Sequence, residues 1–258
     1  MTAFTFIEVK VDSGIGYIYL NRPRQYNSLN RAMVREIMQA MEQFDHDDDV
    51  HVMVVAGHGK AFSSGADIDE MASDDSVRLE LLNQFADWDR IALIKKPIIG
   101  SVKGFVFGGG FELALCCDVL IAAEGTEFSF PEINLGVMPG AGGTQRLTKL
   151  VGRTKALEWI WSASRITADE ALANGIINKI VQPEILMEET LKVATMLTKK
   201  PALAVRLIKE SVNKAVDYSL YEGMQFERKN FYLLFSSEDQ KEGMRAFVEK
   251  RQPNFKGR

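Results

Sequence analysis

Through the first two hundred residues, short apolar, β-branched runs that end at glycine or proline alternate with helical apolar spacing, and few folds satisfy that alternation. Residues 16–21 form a strand-like run that Pro23 stops, and 51–57 (HVMVVAG) form another with a glycine terminator. Between them, apolar residues at 33, 34, 37, 41 and 44 carry helical spacing. Residues 72–79 are polar and aspartate-rich, which predicts a loop ahead of a helix over about 81–94. Further short strands are expected at 97–102 and 119–123. Strands alternating with helices predict an α/β architecture with a substantial parallel sheet.

The texture changes near residue 200. Pro201 sits where a first helical turn accepts proline, and Ala204, Leu207, Ile208, Val212, Ala215 and Val216 then mark one apolar face. A second helix is expected over about 220–235. A third starts at a capping box, Ser237 to Gln240, and runs to about 250. Phe226, Phe231, Phe235 and Phe247 are many large apolar residues for so short a segment, so part of this surface should pack on the main body or on another subunit. Residues 1–200 are therefore expected to form the core and 201–258 a helical region.

A chain of 258 residues can bury a full core, and 46% apolar with 26% charged residues is ordinary for a soluble globular protein. A net charge of −4 supplies no broad footprint for nucleic acid or anionic membrane. The local basic cluster Arg146, Lys149, Arg153 and Lys155 reads as a solvated helix face. Cys116 and Cys117, adjacent in an apolar stretch, read as two buried small hydrophobes in a reducing compartment. The N-terminal MTAFTFIEVKVD lacks the pattern of a secretory signal, and no uncharged apolar stretch is long enough to span a membrane. A soluble cytoplasmic protein is expected.

Two glutamates carry the functional information. Glu112 follows Gly108, Gly109 and Gly110 where a strand runs into a helix, and Glu132 follows Pro131 after an apolar run. The intervening residues read as one helix and one strand, a connection that can bring both carboxylates to one sheet edge. Two carboxyl groups around one water can act as base and acid if their environments separate their pKa values. The glycines permit positive φ and close approach of a ligand, and the free amides of a helix N-terminus suit an oxyanion. A phosphate loop is excluded because no Gly-Lys-Ser/Thr follows, and the dinucleotide glycine spacing is absent.

Two more segments add to this. Residues 60–69 (KAFSSGADID) place small residues after a strand, exposing amides where open α/β sheets bind ligands. A Ser63 or Ser64 nucleophile served by His58 lacks any nucleophile-elbow motif, and no His, Cys and carboxylate group has metal-ligand spacing. Residues 128–147 are rich in proline and glycine and read as a long shaped loop. Its Phe130, Ile133, Leu135, Val137 and Met138 should leave Glu132 partly desolvated, with a raised pKa.

These three segments, with Asn21-Arg-Pro, Arg165-Ile-Thr-Ala-Asp-Glu-Ala and the Gly243-to-Arg251 ending, resemble the enoyl-CoA hydratase/isomerase (crotonase) family over essentially the whole chain. The presence of both glutamates resembles its hydratases most. The resemblance implies a spiral of ββα units followed by a helical trimerisation region, with trimers or pairs of trimers. It implies that an acyl-CoA thioester is the substrate, with no metal or separate cofactor. It also implies Glu112 as base, Glu132 as acid, and the amides of Ala66 and Gly109 as an oxyanion hole. Arg24, Gln25 and Tyr26, with Ala66, Asp67, Ile68 and Asp69, would line the coenzyme A groove. Phe231, Phe247 and Lys250 would contact the coenzyme, in part from a neighbouring subunit. Asp69 stands where relatives commonly carry a basic residue, and a carboxylate there would repel coenzyme phosphates. Within the family, a Δ3-Δ2 enoyl-CoA isomerase using Glu132 alone is the rival activity. Binding of AU-rich RNA, known in some members, is disfavoured by the charge.

Overall fold

The computed structural model describes residues 4–258; Met1 to Ala3, part of the N-terminal stretch discussed above, lie outside the described residues. β1 (Ile7–Asp12) turns tightly into β2 (Ile15–Leu20), the only antiparallel pair of the main sheet among the described residues. Asn30 then caps α1 (Arg31–His46), its side chain accepting from the Met33 amide at 2.8 Å. The helix buries Met33, Ile37, Met38, Ala40, Met41 and Phe44, the face its spacing predicts. The chain returns through β3 (Val52–Gly57), buried at every position as a central parallel strand should be.

Three short helices follow, α2 (Ile68–Met71), α3 (Ser76–Leu82) and α4 (Ala86–Ile91). They correct the expected loop over 72–79 and the single helix over 81–94. Asp75 accepts from the Arg78 amide at 2.8 Å and so starts a helix inside the polar stretch. Asn83, left-handed at φ +43°, ends it and separates α3 from α4.

Next come β4 (Ile98–Val102), β5 (Phe105–Phe107), α5 (Gly109–Leu115), β6 (Val119–Ala123) and β7 (Glu127–Ser129). Twice, therefore, a strand of the main sheet is followed by a strand of a second sheet, a ββα step that gives the fold its spiral. The main sheet has the order β1-β2-β3-β4-β6-β9, parallel from β2 onward. The smaller sheet has the order β5-β7-β8. After α6 (Gly143–Val151) and α7 (Arg153–Ser162), β8 (Ile166–Thr167), α8 (Ala168–Ala173) and β9 (Lys179–Val181) complete the two sheets. α9 (Leu186–Thr198) lies across the main sheet, where Ala194 packs with Tyr17, Val52, Val54 and Ile99. The larger core lies on the opposite face, between the sheet and α1, α5 and α6.

α10 (Ala202–Lys214), α11 (Leu220–Leu234) and α12 (Glu238–Val248) form the helical end. At α12 the expected box is half made: Ser237 accepts from the Gln240 amide at 3.1 Å, but the Gln240 side chain turns to Met244 instead. A complete box, which the sequence reading did not single out, starts α11 at Ser219 and Glu222. Cys116 and Cys117 are free, and burial pushes the Cys116 thiol up to about 11, so both are inert packing groups.

Candidate active site

The site begins where β3 ends. A side chain at Gly57 would meet the Ala61 carbonyl at 2.6 Å, so only glycine lets the chain fold back this closely. Residues 61–67 then run between two neighbours. On one side the Ser63 amide donates to Phe105 O (3.1 Å) and the Phe107 amide to Ser63 O (3.0 Å). On the other, Ser64 N donates to Tyr26 O (2.9 Å), Leu29 N to Gly65 O (2.7 Å) and Asp67 N to Leu29 O (3.0 Å). These bonds leave the Ala66 amide without a partner among the described residues.

Gly108 and Gly110 answer crowding, whereas Gly109 lies beside the Ala66 amide. Gly108 adopts φ +50°, and a Cβ there would lie 2.9 Å from Glu132 Oε1. A Cβ at Gly109 would sit 3.6 Å from Ala66 N, an ordinary contact that puts the two residues side by side. A Cβ at Gly110 would strike Ser63 Cβ at 2.5 Å. Gly109 also opens α5, where first-turn amides have no helical acceptor. The expected pair of free N–H groups, Ala66 and Gly109, is thus brought to one place.

Glu112 is buried on the first turn of α5. Its Oε1 accepts from Ala141 N (2.7 Å) and Gly143 N (2.8 Å), at the start of α6, where the helix dipole favours a negative charge. Burial raises its pKa, while those two amides and the Arg146 guanidinium oppose the rise. Glu132 sits in a 3-10 turn, Pro131–Leu135, just after β7. The Gly108 amide, bonded to Ser129 O at 2.9 Å, ties that turn to the glycine run. Oε2 of Glu132 is buried without a hydrogen-bond partner among the described residues. Burial pushes its pKa up to about 7; its own backbone amide opposes this and the Glu112 charge adds to it. The Glu112 charge resists ionisation at Glu132.

The link between the glutamates differs from the expected one helix and one strand. After α5 come two strands, β6 in the main sheet and β7 in the smaller one, and only the second leads to Glu132. Of the apolar residues in that loop Phe130 is buried, whereas Ile133, Leu135, Val137 and Met138 are exposed in the single chain. The serine relay does not assemble: His58 pairs with Glu8 at 3.0 Å and stacks on Tyr19, while the Ser63 hydroxyl donates to Asn27 O.

Arg24, Gln25 and Tyr26 are exposed, with Gln25 and Tyr26 bonded to Ser64, and Ile68 and Asp69 at the start of α2 are exposed as well. The carboxylate of Asp67 is paired with Arg22 at 2.8 Å. Phe231, in α11, has its ring contacts with Tyr232 and Phe235, not with the glutamates. Phe247 is 85% exposed near the end of α12, and Lys250 follows it at φ +57°.

Sequence reasoning missed the Glu112 cradle at Ala141 and Gly143. Its signal was present in the glycine-rich run before α6, since a helix opening on glycines offers amides to a nearby carboxylate. It also misplaced Arg146. Lys149 and Lys155 do form surface pairs, with Asp217 and Glu158, but Arg146 turns inward, with a buried Nε and its charge acting on Glu112.

Comparison with known proteins identifies the family. The family described as enoyl-CoA hydratase/isomerase matches residues 10–258. A "Probable enoyl-CoA hydratase" of Rhizobium meliloti (strain 1021) is 44% identical over 250 residues, covering 97% of each chain. A "Probable enoyl-CoA hydratase" of Mycobacterium bovis is 43% identical over 249 residues, covering 96% of this chain and 97% of its own. A solved structure of "Enoyl-CoA Hydrates Subunit I" from Geobacillus kaustophilus HTA426 is similar with a TM-score of 0.98 at 60% identity, covering 100% of both chains. Matched across nearly its whole length in sequence and fold, the chain belongs to the enoyl-CoA hydratase/isomerase family.

Proposed function

We propose that this protein is an enoyl-CoA hydratase, adding water reversibly to a trans-2-enoyl-CoA to give the 3-hydroxyacyl-CoA. The observation that carries the reading is a buried Glu112 and a half-buried Glu132, held in unlike surroundings beside two free amides. The Ala66 and Gly109 amides receive the thioester oxygen and stabilise the enolate that forms there. Removing one such donor typically costs about 10²–10³-fold in turnover. Glu112, ionised, takes a proton from water as the oxygen bonds to Cβ. Glu132, in its protonated form, delivers its proton to Cα. Water is consumed whole, and the glutamates end with the proton exchanged between them. No cofactor is needed beyond the coenzyme A of the substrate, because the thioester itself acidifies Cα.

Arg24, Gln25, Tyr26, Ala66, Asp67, Ile68 and Asp69 line the coenzyme groove in this reading. Asp69 stays unfavourable to phosphate. Residues 201–258 form the trimerisation region, and Phe231, Phe247 and Lys250 reach a neighbour's coenzyme. α10 and α11 bury no residue in the single chain, which supports a further partner surface. Sedimentation at micromolar concentration should give a trimer or hexamer; a fully active monomer would contradict it. Among the described residues no helix is long and apolar enough to cross a membrane, and action in the cytoplasm on fatty acyl thioesters is the place and pathway we assign.

Glu112→Gln tests the chemistry. A neutral amide cannot take the proton from water, so hydration should fall by at least about 10²–10⁴-fold. Any Δ3-to-Δ2 isomerase side activity, which one carboxylate at Glu132 can sustain, should survive. Hydration within a few-fold of the parent would sink the two-carboxylate reading and leave the isomerase in its place.

A further inference from the structure

The two amides assigned to the thioester oxygen belong to different segments, and one buried residue connects them. Ser63 is fully buried, and its main chain is laddered onto β5, bridging Val106 and bonding Phe105 and Phe107 immediately before the glycine run. Its hydroxyl accepts from the Gly65 amide at 3.2 Å, the residue preceding Ala66. The same hydroxyl donates to Asn27 O at 2.8 Å, which fixes its orientation. Ser63 thus holds the Gly109 side through its backbone and the Ala66 side through its hydroxyl.

Asn27 is built to hold that anchor still. It is fully buried at φ +55°, a conformation asparagine tolerates better than most residues. Its Oδ1 accepts from Arg22 N at 2.9 Å, and its Nδ2 donates to both His58 O and Ala61 O at 2.9 Å. Gly65 at φ +106° needs the restraint, since glycine backbone is the most free to move. The tight fit of Gly110 against Ser63 Cβ closes the unit from the other side. A buried network with every member satisfied rigidifies the groups it joins.

We propose that Ser63, oriented by Asn27, is a positioning residue that sets the spacing and direction of the Ala66 and Gly109 amides for the enolate oxygen. This rests on the oxyanion reading given above. Ser63→Ala keeps the backbone ladder and the packing but leaves the Gly65 amide without its acceptor, so the Ala66 amide loses its aim. An interaction used in the transition state should show in kcat, so kcat should fall about 10–100-fold with KM changed less than about 3-fold.

The test binds a cinnamoyl thioester of coenzyme A bearing a para-amino donor, whose absorption moves to longer wavelength as its carbonyl is polarised. The parent is expected to show a large red shift and Ser63→Ala a clearly smaller one, together with the kcat loss. Ser64→Ala, whose hydroxyl bonds Gln25 O at 3.3 Å toward solvent, serves as control and should match the parent. Should Ser63→Ala fail to fold, Ser63→Cys replaces it, with a weaker donor and acceptor and a shift expected below the parental one. A full parental shift and kcat in the folded Ser63 variant overturns the proposal while leaving the oxyanion reading intact. No red shift in the parent overturns both.

Discussion

Glu112 and Glu132 serve one pocket from opposite kinds of surroundings. Glu112 rests at the start of α6, with two amides on one oxygen and a guanidinium acting on it; the backbone there was shaped to receive a charge. Glu132 lies against Gly108, with one buried oxygen unpartnered and the Glu112 charge nearby, and burial and that charge outweigh its own backbone amide in favour of the neutral form. The difference teaches how one residue type fills two roles. Several donors to the charged form make a base, and burial with few donors makes an acid.

The comparison breaks most visibly if Arg146 is removed. Its charge lowers the pKa of Glu112, so Arg146→Gln should raise that pKa and leave less of the base ionised at acid pH. The acid limb of kcat/KM should move to higher pH, with activity lost on that limb and little change on the alkaline side. An unmoved acid limb would detach Arg146 from the base. Because the carboxyls interact, the profile reports the pair.

A smaller effect, on stability, sharpens the other half. The folded protein holds the Glu132 proton up to about pH 7, whereas the unfolded chain releases it near the ordinary carboxylate value. Between those values the folded state binds more protons, so this group's contribution to stability falls as pH rises, by at most about 1.4 kcal/mol per pH unit. Glu132→Gln has no proton to lose. Its melting temperature should exceed the parent's at pH 8 by more than at pH 5. Equal differences at the two pH values would show that Glu132 is ordinarily solvated.

How much of this was readable in the sequence follows from the range of the interactions. α1, β3 and the glycine run were legible because local spacing and local sterics decide them. α3 was read as a loop because its aspartates look like solvent-seeking charge, whereas Asp75 acts as a cap and Asp74 as an ion-pair partner for Arg31 and Arg78. The two glutamates stood out by their neighbours in the chain. Their difference in environment did not, since Ala141 and Gly143 reach Glu112 from about thirty residues away. Arg146 was unreadable for the same reason: charge spacing along a helix cannot tell which side chain turns inward.

The most direct test of the account is a carboxyl titration, followed by carbon-13 NMR or difference infrared spectroscopy on protein labelled at glutamate side chains. In the parent, one carboxyl should titrate near about 7. That signal should vanish in Glu132→Gln and move to lower pH in Glu112→Gln, where the neighbouring negative charge is gone. If no glutamate titrates above the ordinary carboxylate range, or if the high signal vanishes with Glu112 instead, the division into a charged base and a protonated acid is wrong.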